Sequence, residues 1–157
     1  MTDYGSLIQT LSRQGVEFII VGGAAAVAHG SARLTEDLDI VYRRSPANIK
    51  RLADALTALN PYLRGAPPGL PFKFDEKTIR SGMNFTLTTE LGWIDLLGEI
   101  TGGGGYEDLL PYSVRVRVFG EQSWLLGLER LIFVKRAAGR PKDLEAIAEL
   151  ERILDQS

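Results

Sequence analysis

Apolar residues recur along this chain with two periods, one helical and one alternating or continuous, and the switches between them lay out its elements. Leu7, Ile8 and Leu11, behind Asp3 as a cap, predict a first helix that Gly15 ends. Residues 16–21 form a short apolar run rich in β-branched side chains, which predicts a buried strand. Gly22-Gly23 turns the chain, and the alanine-rich stretch 24–29 predicts a helix stopping at Gly30. Residues 38–42 make the next strand. Ser45 and Pro46 then supply a cap and a first helical position, and Ile49, Leu52, Leu56 and Leu59 share one face of the helix that follows.

Residues 60–71 hold four of the seven prolines and two glycines, which predicts a loop. Residues 83–89 and 93–97 read as strands joined by a hairpin at Glu90-Leu91-Gly92. The glycines at 102–105 predict a flexible tip, since no strand–turn–helix frame for a phosphate surrounds them. Val114, Val116 and Val118 alternate with Arg115 and Arg117, the pattern of a half-buried strand over 113–119. Two helices close the chain. The first shows Leu128, Leu131 and Ile132 on one face; the second starts near Pro141 and carries Leu144, Ile147, Leu150 and Leu154.

Composition narrows the possibilities. A chain of 157 residues without an internal repeat or a linker favours one domain spanning 1–157, and 45% apolar residues suffice for its core. With 24% charged residues and a net charge of −2, the surface as a whole does not attract nucleic acid. The absence of cysteine excludes disulfides, thiolate catalysis and cysteine-bound zinc, and a single histidine excludes a His-rich metal site. No apolar run reaches membrane-spanning length, and Met1-Thr2-Asp3-Tyr4 lacks a signal-peptide pattern. The expectation is a soluble cytoplasmic protein with no membrane partner.

The informative positions are those that break the apolar pattern. Asp37 and Asp39 sit in an apolar strand at i and i+2, so both point to one face. Asp95 is a lone carboxylate in the strand 93–97. If that strand lies beside the one holding Asp39, the three carboxylates repel unless a cation joins them, and an all-oxygen set suits Mg²⁺ or Mn²⁺. The bland alternative pairs each aspartate with an arginine, or makes it a turn or cap residue. Earlier in the chain, Gly22-Gly23 lies between a strand and a helix, where bare backbone N–H groups can approach a phosphate.

Gly22-Gly23, Asp37-Leu38-Asp39 and a third carboxylate, Asp95, on a later strand resemble the signature of the nucleotidyltransferase superfamily that includes DNA polymerase beta. The longer string Gly22-Gly23-Ala24-Ala25-Ala26 through His29-Gly30, Arg33, Thr35 and Asp37-Leu38-Asp39-Ile40 is similar to small bacterial nucleotidyltransferase-like proteins. These are related to the AbiEii toxins and to minimal nucleotidyltransferases of toxin–antitoxin systems. Lys135, Arg140, Lys142 and Asp143 resemble the Lys…Arg-x-Lys-Asp motif of the AbiEii group. The resemblance implies that Asp37 and Asp39 bind the metals and NTP phosphates. Asp95 then completes the second metal site and helps deprotonate the acceptor, Gly22 and Gly23 line the triphosphate, and Lys135 touches phosphate or nucleotide. Helical spacing from Leu128, Leu131 and Ile132 also puts Lys135 on the inward face. Where many members have Gly-Ser, this chain has Gly23, so one hydroxyl ligand is lost while the backbone cradle is kept.

Weaker candidates keep two readings each. His29 at a helix end fits the helix dipole and packing, or a general base. Arg33 contacts phosphate or pairs with Asp37 or Glu36. Thr35 caps the start of the strand or joins the nucleotide site. Arg115 and Arg117 form a solvated face or meet RNA, and Arg136, Arg140 and Lys142 make a basic cluster for phosphate or RNA or an ordinary helix terminus. Trp93 and Trp124 read as core or edge packing, or as surfaces on which a base stacks.

The expected fold is α/β (α+β), a nucleotidyltransferase fold with a small mixed, twisted sheet, flanking helices and two C-terminal helices. The expected reaction is Mg²⁺-dependent transfer of a nucleoside monophosphate from an NTP to an acceptor hydroxyl on tRNA, a protein side chain or a small molecule. A toxin role with a cognate antitoxin follows from the resemblance. The rival readings are a non-catalytic nucleotide- or partner-binding module, and a structural domain in which Asp37 and Asp95 face arginines.

Overall fold

The computed structural model describes residues 2–32 and 35–157. Helix α1 (Tyr4–Arg13) opens on the expected cap: the Ser6 amide donates to Asp3 Oδ1 at 3.0 Å, and Leu7, Ile8 and Leu11 are buried. Strand β1 (Phe18–Val21) is buried along its length and runs directly into helix α2 (Gly22–Ala28). The Gly-Gly pair is thus the first turn of that helix rather than a turn before it. Strand β2 (Asp37–Tyr42) leads to helix α3 (Pro46–Thr57), capped by Ser45, whose Oγ accepts from the Asn48 amide at 3.3 Å.

The next segments depart more from the sequence reading. Inside the expected loop 60–71 lies a two-residue edge strand, β3 (Tyr62–Leu63), and helix α4 (Glu76–Ser81) follows, capped by Asp75. Both are too short to impose a periodic pattern. Strands β4 (Phe85–Thr89) and β5 (Gly92–Leu97) form the expected hairpin. The 102–105 glycines are not a free tip: β6 (Glu99–Ile100) pairs with β7 (Gly104–Gly105), and a Cβ on Gly103 would meet Val134 and Ile100. The short helix α5 (Tyr106–Leu109) and a 3₁₀ turn (Leu110–Tyr112) lead to strand β8 (Ser113–Val118). Its partner β9 (Glu121–Leu126) escaped the sequence reading because its first three residues are polar. Helices α6 (Leu128–Ala138) and α7 (Pro141–Asp155) close the chain. Ile147 and Leu150 are buried, but Leu144 is 65% exposed, so the buried stripe of α7 is narrower than its apolar pattern.

Among the described residues, seven strands form one sheet in the order β3-β4-β5-β2-β1-β9-β8. It is mixed: β1 runs antiparallel to β2 and parallel to β9, while β2 runs parallel to β5. Parallel pairing of β2 with β5 sets Asp39 directly opposite Asp95 and Asp37 opposite Trp93. Alternation along both strands then sends Leu38, Ile40, Ile94 and Leu96 to the other face, where all four are fully buried. Far from the aspartates, at the other end of β2, buried Asn48 ties α3 to the sheet. Its Oδ1 accepts from the Glu17 amide at 2.7 Å, and its Nδ2 donates to the Glu17 and Arg43 carbonyls at 2.9 and 2.8 Å.

Candidate active site

The strand register brings the three predicted carboxylates together. One oxygen each from Asp37, Asp39 and Asp95 can be chosen so that all lie within 4.8 Å of one another. At that distance two carboxylates repel by about 3 kcal/mol at an effective dielectric of 20, so the fold holds this group against a real cost. Asp39 bears most of it. Burial, then the charges of Asp95 and Asp37, push its carboxyl up to about 7, against a weaker opposing hydrogen bond from the Gly23 amide. Its Oδ1 is buried and has no hydrogen-bond partner among the described residues. Burial also raises the Asp95 carboxyl, with Arg64 opposing.

Gly22 is required where it stands. Its φ is +62°, and a Cβ there would lie 2.1 Å from Asp39 Oδ2. The carboxylate therefore sits against bare backbone at the first turn of α2. A Cβ on Gly23 would in turn meet Thr35 Oγ1 at 2.7 Å, so the two glycines fit between β2 and the segment before it. Thr35 itself donates to the Asp37 carbonyl at 3.3 Å, and its own carbonyl accepts from the Tyr4 hydroxyl. Arg33 lies outside the described residues.

Lys135 faces inward from α6, as its spacing predicts, with its side chain 16% exposed. Burial lowers the pKa of its ammonium, partly offset by Asp143, 3.9 Å away. Arg140 binds Asp143 through Nε at 2.8 Å and Nη2 at 3.3 Å. Burial works to raise the Asp143 carboxyl, but the bonds and charge of Arg140 overcome it and hold it below the usual range. Asp143 thus holds the basic motif in place, while Lys142 projects as an exposed residue on the wall of the same cleft.

Two clefts meet at the triad. One, of about 480 Å³, is lined by Gly22, Gly23, Thr35, Asp37, Lys135 and Lys142 among others. The second, of about 450 Å³, is lined by Asn84, Leu97, Glu99, Thr101, Leu131 and Val134 among others. Gly22, Asp39, Asp95, Lys135 and Arg140 border both. Each volume falls in the range of small-molecule sites. The first cleft runs along the glycine turn and sets Lys135, Arg140 and Lys142 among carboxylates that include Glu36, Asp143 and Glu149; the second mixes apolar and hydroxyl or amide groups with Glu99.

Other sequence candidates make contacts within the fold. His29 Nε2 donates to the Leu126 carbonyl at 2.8 Å, which ties α2 to the end of β9. Arg115 lies over the Trp124 ring at 5.1 Å, Arg117 donates to the Gly120 carbonyl at 3.1 Å, and Arg136 pairs with Glu151.

The sequence reading missed Arg64. From the edge of the sheet it reaches across β4 to the triad: Nη1 donates to Asp37 Oδ2 at 3.2 Å, and Nη2 lies 3.0 Å from Asp95 Oδ1 in ion-pair rather than hydrogen-bond geometry. Nη2 also donates to the Leu87 carbonyl at 2.8 Å, and the guanidinium lies 4.6 Å from the Trp93 ring centre. Two aspartates on one face ask for a cation, but nothing in the order of the chain picks Arg64 from 18 lysines and arginines. Its pairing meets for Asp37 and Asp95 the condition of the structural reading. It leaves Asp39 with an orphaned oxygen, and that donor set of three carboxylates suits a hard divalent cation.

No protein-family model matches the sequence, and no curated protein matches it. Among solved structures, the chain is similar to the lincosamide antibiotic adenylyltransferase LnuA in its lincomycin-bound form, with a TM-score of 0.63 and 14% identity over 98% of each chain. It is also similar to the antibiotic-resistance factor ANT(2'')-Ia in solution, with a TM-score of 0.58 and 13% identity over 94% of this chain and 80% of that one. The same factor has been seen with adenylyl-2''-tobramycin, at a TM-score of 0.54 and 12% identity over 94% of this chain and 90% of that one. Among the described residues no helix is long and apolar enough to cross a membrane. The likeness to these neighbours is one of fold: the chain has the nucleotidyltransferase fold.

Proposed function

We propose that this protein transfers a nucleoside monophosphate from an NTP to a hydroxyl of a small-molecule acceptor. The observation that carries this reading is the buried Asp39 oxygen without a partner, set in a triad of carboxylates where two clefts meet. Asp37, Asp39 and Asp95 would hold Mg²⁺ or Mn²⁺, which when bound neutralises the phosphates and the charge that develops during in-line displacement. Gly22 and Gly23 line the triphosphate, and Lys135, with Arg140, Lys142 and Thr35, supports it from the first cleft. The acceptor hydroxyl attacks the α-phosphorus, the bond to the β-phosphate oxygen breaks, pyrophosphate leaves, and Asp95 accepts the hydroxyl proton.

The neighbouring adenylyltransferases motivate ATP as donor and a compact hydroxylated molecule as acceptor, ahead of tRNA or protein. The size of the second cleft fits that choice. A toxin–antitoxin role rests only on the resemblance at Lys135, Arg140, Lys142 and Asp143. The pairing of Arg64 with Asp37 and Asp95 favours, as second reading, a module that binds nucleotide without transfer.

Incubation with α-³²P NTPs, Mg²⁺ and a small-molecule extract tests the proposal. Label should move from ATP to a low-molecular-weight product with wild type and not with Asp39→Ala. Nucleotide binding with no transfer to any acceptor would support the second reading, and binding that Asp39→Ala leaves intact would sink the assignment of the site.

A further inference from the structure

Arg64 does not behave like an incidental surface partner. It is built in on every side: its amide donates to the Thr86 carbonyl at 3.0 Å, which continues the β3–β4 ladder, and its guanidinium is held by the Leu87 carbonyl and the Trp93 ring. Its side chain is 18% exposed, and Nε is buried without a partner. A guanidinium so fixed is a permanent positive charge facing two of the three triad carboxylates. It also occupies one oxygen of Asp37 and lies against one of Asp95, two of the three residues that could hold a divalent ion.

We propose that Arg64 is the resident cation of the metal-free triad, a positioning residue that competes with the divalent ion for Asp37 and Asp95. It keeps the site assembled in the absence of metal and weakens the binding of free metal. Tight occupancy then depends on the added ligands and negative charge of the nucleotide phosphates. The inference rests on the proposed metal-binding role of the triad and adds to it a residue that the motif does not contain. It opposes the simpler view, in which Arg64 aligns the carboxylates and so strengthens metal binding. The two views predict opposite signs.

The test is Mn²⁺ binding to the full chain, followed by the EPR signal of free Mn²⁺, for wild type, Arg64→Gln and Arg64→Lys. Removing a fixed charge next to a divalent ion should tighten Mn²⁺ binding by tenfold or more in Arg64→Gln. Arg64→Lys, which keeps the charge but cannot span both carboxylates, should fall between. Thermal melts supply a readout independent of catalysis: Arg64→Gln should melt below wild type in EDTA, and saturating Mn²⁺ should shrink that deficit. A merely structural arginine would leave the deficit the same with and without metal. If Arg64→Gln is unfolded under both conditions, Arg64→Lys decides by the direction of its Mn²⁺ affinity. Equal or weaker Mn²⁺ binding in the variants overturns the inference and leaves the transferase reading standing. No Mn²⁺ binding by wild type or either variant overturns both.

Discussion

Replacing Asp39 by asparagine should make this protein more stable while removing a ligand of its proposed metal site. The structure gives the size of the effect. Asp39 is pushed up to about 7 from an ordinary 3.8, first by burial and then by Asp95 and Asp37. A carboxyl raised on folding is easier to protonate in the native state, so the folded protein binds more protons than the unfolded chain between those two values. Stability then falls as pH rises through that window, and the loss is complete above it. At pH 8 the ionised Asp39 costs on the order of 4 kcal/mol, and at pH 5 less than half of that. An asparagine at this position would carry no charge, nearly matches the shape, and can donate to the neighbouring carboxylates. Asp39→Asn should therefore raise the melting temperature in EDTA at pH 8 by roughly 8–16 °C if the whole term is recovered, and by much less at pH 5. With saturating Mg²⁺ or Mn²⁺ the wild type should regain stability and the variant should not. Thermal scans at the two pH values, with and without metal, measure all four quantities. A variant no more stable than wild type at pH 8, or a gain that does not shrink at pH 5, would refute the argument that burial of this charge is what the fold sustains.

Gly22→Ala forces a Cβ to within 2.1 Å of Asp39 Oδ2 at a φ of +62°. It should lower urea stability by at least about 2 kcal/mol and disturb metal binding with it. Lys135→Met keeps the apolar stem of an inward side chain and removes its charge. Its ATP affinity, measured by calorimetry, should fall about 10–100-fold, the worth of a charge-assisted hydrogen bond, and an unchanged value would remove Lys135 from the nucleotide cleft. Asn48→Ala strips partners from three backbone groups and should cost on the order of 3 kcal/mol in urea unfolding. Because Asn48 sits at the far end of β2, Mn²⁺ affinity should not change.

Much of the candidate site was legible in the chain because it rests on local rules. Period two puts Asp37 and Asp39 on one strand face, and helical spacing turns Lys135 inward; the structure places all three so. Asp3, Ser45 and Pro46 mark helix starts by chemistry that acts within four residues, and these helices begin there. Where the pattern is short or polar, as at β3, α4 and β9, local rules have too little to act on. The 102–105 glycines looked free because what immobilises them, Val134 and Ala137 on α6, lies far along the chain.

The carboxylates on one strand face, the glycine turn and the inward lysine are written in the chain, since each follows from backbone geometry within one element. That β5 lies parallel to β2 with Asp95 opposite Asp39 emerges from packing in three dimensions, because register is a property of two strands. Only it could supply Arg64, which reaches the triad across an intervening strand from a proline-rich segment without a motif. Opposite charges find each other through space, and the order of residues along the chain carries no record of that distance.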